Sequence, residues 1–322
     1  MEIQPEIAER IGKLEEKFKN SGQDMGSYLD GLLYDRYLSY WDYISVDTLL
    51  SLQKTNTHFP DEMIFITYHQ ITELYFKLII HEQKQIIETT SLTTSYFVEK
   101  LNRMNRYFRI LIDSFDVMIK GMEREQFLKF RMALLPASGF QSAQFRMIEL
   151  YSTPLENLVD FNLRDQFTVE NSSEELFENI YWKKGGIDLE TGEKTLTLKQ
   201  FEKRYTPRFL RIAKNVYGNT IYQRYQAMHQ DDRTNEDLKQ ALRNFDVNVN
   251  INWLLMHMGA AYRYLSRKDE TIKATGGTNW KKFLPPSFQR VSFFPELWSE
   301  QELNDWGKQW VNHTFNTENQ KA

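Results

Sequence analysis

Tyr68 to Glu82 reads YHQITELYFKLIIHE and follows a second apolar run, MIFI, at Met63 to Ile66. Its Ile, Leu, Phe and Tyr residues recur at helical intervals, which predicts one long helix from Asp61 to Thr89. The same periodicity predicts further helices over Pro5 to Asn20, Ser45 to Gln53, Thr94 to Lys120, Glu123 to Leu134, Ser142 to Tyr151, Thr206 to Asp231, Glu236 to Ser266 and Ser299 to Asn312. With only 14 Gly and 8 Pro in 322 residues, and few strand signals, the chain is expected to be all-α, a helical bundle. Trp182 to Thr197, WKKGGIDLETGEKTLT, is the expected excursion, a loop or short hairpin between two helical blocks. Neither block ends in a Pro- or Ser-rich linker, so a single domain over 1–322 is expected.

Composition narrows the function classes. A net charge of −4, with 26% charged residues of both signs, offers no single-sign field for nucleic acid or anionic lipid, so neither partner is expected. No apolar run approaches the ~20 residues that cross a bilayer, and the charged N-terminus MEIQPEIAERIGKLEEKFKN is unlike a secretory signal. A soluble, cytoplasmic protein is expected. The absence of Cys removes disulfides, Cys-ligated zinc, iron–sulfur clusters and thiolate-bound haem. Any metal must rest on His, carboxylates or a cofactor.

Five segments carry chemistry-bearing residues. His69 lies four residues after Phe65 and four before Glu73, which puts all three along one stripe of the long helix. They form either a pocket wall or a core histidine with its neighbours. Neither Glu-x-x-His nor His-Glu-x-x-His occurs, which rules out the di-iron bundle and zinc-protease patterns. His81, near the end of the helix, is expected to make a structural hydrogen bond. In LLPASGFQSAQFRMIE, Leu134 to Glu149, the Ser138 and Gln141 spacing of a capping box predicts a helix start that places Arg146 about two turns in. A guanidinium among Phe145, Met147 and Ile148 needs a partner, either Glu149 one turn on or a carboxylate brought by a ligand.

In NINWLLMHMGAAYRYLSR, Asn250 to Arg267, small residues follow His257 and leave room either for something flat and large or for close helix packing. KATGGTNW, Lys273 to Trp280, lacks the P-loop frame and is a surface turn or a loop whose backbone and hydroxyls approach a ligand. LSYWDYISVDTLL, Leu38 to Leu50, clusters Tyr40, Trp41 and Tyr43 for an interface or for core packing.

In this order the segments YWDYISVDTLL, DEMIFITYHQITELYFKLIIHE, LLPASGFQSAQFRMIE, WLLMHM, ATGGTNW and FFPELW (Phe293 to Trp298) resemble the tryptophan 2,3-dioxygenase family. The likeness runs from about Tyr40 to Trp298. It implies a helical bundle enclosing a haem b pocket, one haem per subunit, in a homotetramer. The implied reaction inserts both atoms of dioxygen into the indole ring of L-tryptophan, giving N-formylkynurenine, the first step of tryptophan catabolism by the kynurenine route.

Position by position, the resemblance makes His257 the axial ligand of the haem iron and His69 the distal histidine near the indole nitrogen. Phe65 packs on the substrate, Arg146 clamps its carboxylate, and Thr275 lies near its ammonium. Tyr40 and Tyr43 belong to an N-terminal arm, about 1–58, that serves a neighbouring subunit's site. One departure stands out: ATGGTNW replaces the family's common GTGGSSG. It leaves open a related haem oxygenase acting on a substituted indole or tryptophan derivative, or a non-catalytic module that binds haem and tryptophan.

Overall fold

The computed structural model describes residues 3–34, 39–134, 140–168, 170–188, 191–266, 281 and 284–308. The chain divides into two compact units, Met1–Lys54 and Thr55–Ala322. In the first, the Pro5–Asn20 helix starts with Pro at its first position and Glu6 in its first turn, and ends with Lys17 and Lys19, an order that suits the helix dipole. Met25–Tyr34 is a helix that the periodicity did not predict. The predicted Ser45 to Gln53 helix is shorter, Val46–Leu50, and a helical turn at Tyr40–Tyr43 precedes it, capped by Ser39. Tyr40, Trp41 and Tyr43 are exposed and do not pack in a core.

The second unit is organised around the Asp61–Glu88 helix, which packs on the Thr94–Ser114 and Ala143–Ser152 helices. Phe76, Ile79 and Ile86 of the long helix are buried in the core. Each such side chain contributes about 1.5–3 kcal/mol of transfer free energy. Polar bolts complete the packing. Buried Glu82 pairs with Lys100 at 3.1 Å and Arg103 at 3.6 Å, and buried Gln83 donates to the Ile148 carbonyl at 3.0 Å and the Ser152 hydroxyl at 2.9 Å. His81 departs from expectation: its ring is exposed and makes no hydrogen bond among the described residues. It falls on the side of the helix away from the core, so nothing there demands a partner.

Several helix ends differ from the periodic reading, each for a local reason. The predicted Thr94 to Lys120 helix breaks at buried Phe115 into Thr94–Ser114 and Asp116–Lys120. Glu123 to Leu134 becomes Arg124–Phe130 followed by a 3₁₀ turn at Arg131–Leu134. In place of a helix from Thr206 to Asp231, one runs over Leu196–Asn215 with Pro207 inside it, and shorter ones cover Ile221–Gln226 and Gln230–Arg233. Pro207 costs that helix a hydrogen bond, but Thr195 caps its start and buried Phe201, Phe209 and Ile212 hold it to the core. Ser299 caps Glu300–Asn304, and residues from 309 onward lie outside the described ones.

Trp182 is buried in a 3₁₀ turn, Tyr181–Gly186, and the hairpin expected after it amounts to one antiparallel bridge, Ile187 to Lys194. That and Val159 to Ile180 are the two β-bridges with both partners among the described residues, and no named strand occurs there, so the fold is all-α. No helix of the described residues is long and apolar enough to cross a membrane.

The predicted Glu236 to Ser266 helix is continuous but not uniform. Glu236–Val247 passes through a π-helical turn at Asn248–Asn252 into Trp253–Leu265. The wide turn carries its own polar bracing: Asn248 donates to Asn105 at 3.1 Å, Asn252 to Asn248 at 3.1 Å and Asn250 to Asp246 at 2.7 Å. A π turn shifts the face presented by every residue after it, so this bracing sets where His257 points.

Candidate active site

Four of the residues singled out in the sequence line one cavity of about 670 Å³. Phe65 and His69 come from the Asp61–Glu88 helix, Arg146 from Ala143–Ser152 and His257 from Trp253–Leu265. The volume suits a cofactor-sized or drug-sized ligand. The cavity lies where two clusters of the core meet, with Phe76, Phe145 and Trp182 from one and Tyr68, Phe115 and Met118 from the other. Trp253 packs against both.

Glu73, on the same stripe as Phe65 and His69, also faces the cavity. Its carboxylate accepts from the Ser142 hydroxyl at 2.6 Å and the Gln144 amide at 2.8 Å. The Ser142 oxygen in turn accepts from the Phe145 N–H at 3.2 Å and caps the Arg146 helix. The helix therefore starts at Ala143, and Arg146 sits in its first turn instead of two turns in. Ser138, the expected cap, lies outside the described residues.

His69 Nδ1 is 2.7 Å from the Phe65 carbonyl oxygen. A carbonyl only accepts, so Nδ1 carries the proton and Nε2 is left with a lone pair. The His69 ring packs on Phe65 with centroids 4.0 Å apart. Its surface is open to the cavity, yet the surrounding protein lowers its pKa from the ordinary 6.5, with the Phe65 bond and Glu73 opposing the shift. The imidazole is neutral at neutral pH.

His257 is pushed down as well, to about 4, first by burial and then by the positive charges that His69 and Arg146 can carry. Its ring makes no hydrogen bond among the described residues, and the nearest aromatic ring, Phe115, is 6.4 Å away between centroids. A neutral imidazole with no internal partner, facing a cavity, is a ligand type. Among the described residues no group of three or more His, Asp or Glu is placed to hold a bare metal ion. A metal held by one imidazole would take its remaining ligands from a cofactor. Haem asks of the protein an axial imidazole and largely apolar walls, and these residues fit it. Ala260 and Ala261 line the cavity as the small residues after His257 suggested, whereas a Cβ on Gly259 meets only Ile119 Cδ1, at 3.9 Å.

Arg146 is buried, and its Nη1 lies 3.1 Å from Glu149 Oε1 and donates to the Tyr181 hydroxyl at 3.1 Å. Both readings of its partner therefore have a place: Glu149 holds one side, and the guanidinium still lines the cavity. Tyr181 was missed in the sequence. It stands 35 residues from Arg146, just ahead of what reads as a loop, and no spacing links the two.

Tyr40 and Tyr43 belong to the first unit. Thr275, with the rest of ATGGTNW, lies outside the described residues.

Residues 32–271 match the family model described as tryptophan 2,3-dioxygenase. The chain is 28% identical over 283 residues to the tryptophan 2,3-dioxygenase of Bacillus thuringiensis subsp. konkukian (strain 97-27), covering 81% of this chain and 91% of that protein. It is 28% identical over 281 residues to that of Geobacillus thermodenitrificans (strain NG80-2), covering 83% and 92%. Over 113 residues it is 40% identical to that of Ruegeria sp. (strain TM1040), covering 35% and 40%. A family model spanning most of the chain, around the same cavity that gathers Phe65, His69, Arg146 and His257, settles the assignment: the chain belongs to the tryptophan 2,3-dioxygenase family.

Proposed function

We propose that this cavity is where the chain, an oxidoreductase of its family, adds dioxygen across the indole double bond of L-tryptophan to give N-formylkynurenine. The observation that carries the reading is the convergence of two neutral imidazoles and one guanidinium on a single apolar cavity. His257 holds haem b, one per subunit. Bound there, the haem supplies the iron at which dioxygen is activated.

The protein's part is to bind, orient and exclude water. Phe65 packs on the indole. His69, its Nδ1 proton committed to the Phe65 carbonyl, offers Nε2 as acceptor to the indole N–H. Arg146 takes the substrate carboxylate, and Thr275 lies by its ammonium. Tyr40 and Tyr43, on an arm of about 1–58, complete the site of a neighbouring subunit in a cytoplasmic homotetramer.

The direct test is the absorption spectrum of the reduced, haem-loaded protein before and after adding L-tryptophan in air. The expected result is a Soret band, followed by growth of N-formylkynurenine absorbance. Haem binding without turnover of L-tryptophan would shift the reading to a related oxygenase with a substituted indole as substrate, and a spectral change without dioxygen consumption to a binding module.

Arg146→Ala separates clamp from scaffold. Losing a charge-assisted bond of ~1.5–3 kcal/mol is expected to raise the KM for tryptophan about tenfold or more, with haem content unchanged. The fold should survive, because burial has already pushed the Glu149 carboxyl up to about 7 and it can protonate when its partner is lost. Unfolding instead would mean that the Glu149 pairing is purely structural.

A further inference from the structure

Behind Arg146 stands a carboxylate for which substrate binding and oxygen chemistry have no evident use. Glu149 is fully buried, and one oxygen, Oε1, takes both the Arg146 guanidinium and the Tyr181 hydroxyl. The other, Oε2, has no hydrogen-bond partner among the described residues, and neither has Arg146 Nε. Arg146 and Tyr181 line the cavity, whereas Glu149 does not. The guanidinium is thus held from behind through Nη1, while Nη2 makes no hydrogen bond among the described residues.

If Arg146 is the carboxylate clamp, as proposed above, a bound ligand puts a second carboxylate on the same guanidinium in a low-dielectric site. One positive charge compensates one negative charge well and two poorly. The carboxyl of a free α-amino acid, acidified by its own neighbouring ammonium, is the stronger acid of the two. The proton therefore goes to Glu149.

We propose that Glu149 is the counter-ion that Arg146 exchanges for the ligand's carboxylate, so that binding brings one proton from solvent onto Glu149. The step moves a proton and no electrons: carboxylate and proton become carboxylic acid on Oε2, and Oε1 keeps the Tyr181 hydroxyl bond.

Before a ligand arrives, burial already places Glu149 at about 7, against the pull of Arg146 and of the Tyr181 bond. Tyr181 itself is pushed well above its ordinary value by burial and stays protonated. Charged and titratable groups on the packed elements are engaged elsewhere. On the long helix, Glu73 bonds to Ser142 and Gln144, and Glu88 acts, with Arg208 of Leu196–Asn215, on Tyr151. Beside Tyr181, Lys183 pairs with Glu178 and Glu202, and Lys184 with Asp160. On Ile221–Gln226, Arg224 bonds to the Thr89 carbonyl and Tyr222 to Glu296. Among the charged and hydrogen-bonding groups of the described residues, Arg146 and Tyr181 are the ones that act on Glu149.

The test is calorimetric titration of the ferrous, haem-loaded protein, free of dioxygen, at pH 8 in two buffers of different ionisation enthalpy. L-tryptophan is expected to take up about 0.5–1 proton per site, and tryptamine, which lacks the carboxylate, none. Between pH 7.5 and 8.5 the wild-type Kd for L-tryptophan should weaken by about three- to tenfold per pH unit, matching the uptake, and Glu149→Gln should abolish both the uptake and that slope. L-tryptophan binding with no buffer-dependent heat, or a Glu149→Gln protein that keeps the wild-type slope, would overturn the exchange while leaving the substrate reading intact. No binding of L-tryptophan at all would overturn the substrate reading, and the exchange with it.

Discussion

His257→Ala is expected to yield a folded protein that purifies without a Soret band and turns over tryptophan at least about a thousandfold more slowly, a loss of about 4 kcal/mol in transition-state stabilisation. The side chain faces a cavity and makes no hydrogen bond among the described residues, so its removal breaks no internal bond there. Thermal unfolding of the two cofactor-free proteins at pH 8 should therefore nearly coincide.

They should part on acidification. A histidine whose folded value is depressed from 6.5 to about 4 makes the folded state bind fewer protons than the unfolded one. Its contribution to stability is complete above the unfolded value and is lost as pH falls from 6.5 through 4. The Ala variant lacks that component, so the cofactor-free parent should lose more stability than the variant between those limits. A variant that retained haem at full stoichiometry would remove His257 from the site, and one that unfolded at pH 8 would make it a structural residue.

The second large effect is expected at Asp246, for stability instead of chemistry. Its buried carboxylate accepts from Ser292 Oγ at 2.7 Å, the Phe293 N–H at 2.9 Å, the Phe294 N–H at 3.3 Å, Trp298 Nε1 at 2.9 Å and Asn250 Nδ2 at 2.7 Å. One side chain thus clasps the FFPELW segment to the end of the Glu236–Val247 helix and braces the π turn that leads to His257.

Asp246→Ala strands these donors in the interior. It should cost about 3–5 kcal/mol, read as a lower urea midpoint. Haem retention should fall as well, because the π turn loses the Asn250 bond that helps set the direction of His257. An Asp246→Ala protein with an unchanged midpoint would show that the clasp contributes nothing.

Neither the clasp nor the Arg146 arrangement could be read whole from the chain. Glu149 was visible as a partner for Arg146 because i and i+3 share a helix face. Tyr181, bonded to both, was not, and the capping of the Arg146 helix was misplaced because Ser142 is chosen over other candidates by its bond to Glu73, 69 residues away. The predicted start at Thr206 fell ten residues late, because the helix runs through Pro207, where the burial of Phe201 and Phe209 on either side outweighs one lost hydrogen bond.

What the chain declares through neighbours three and four residues apart came through unaided. The long helix, its Phe65–His69–Glu73 stripe and the all-α class all follow from hydrophobic period and from the scarcity of Gly and Pro. Which histidine faces the cavity is a different kind of fact. His69 and His81 lie on one helix in similarly apolar company, yet one faces a 670 Å³ cavity and the other is exposed outside the core. Local period fixes the angle between two residues on a helix. Only the packing of the other helices around it decides which angle faces a cavity, and there burial turns an ordinary imidazole into a neutral one ready to bind.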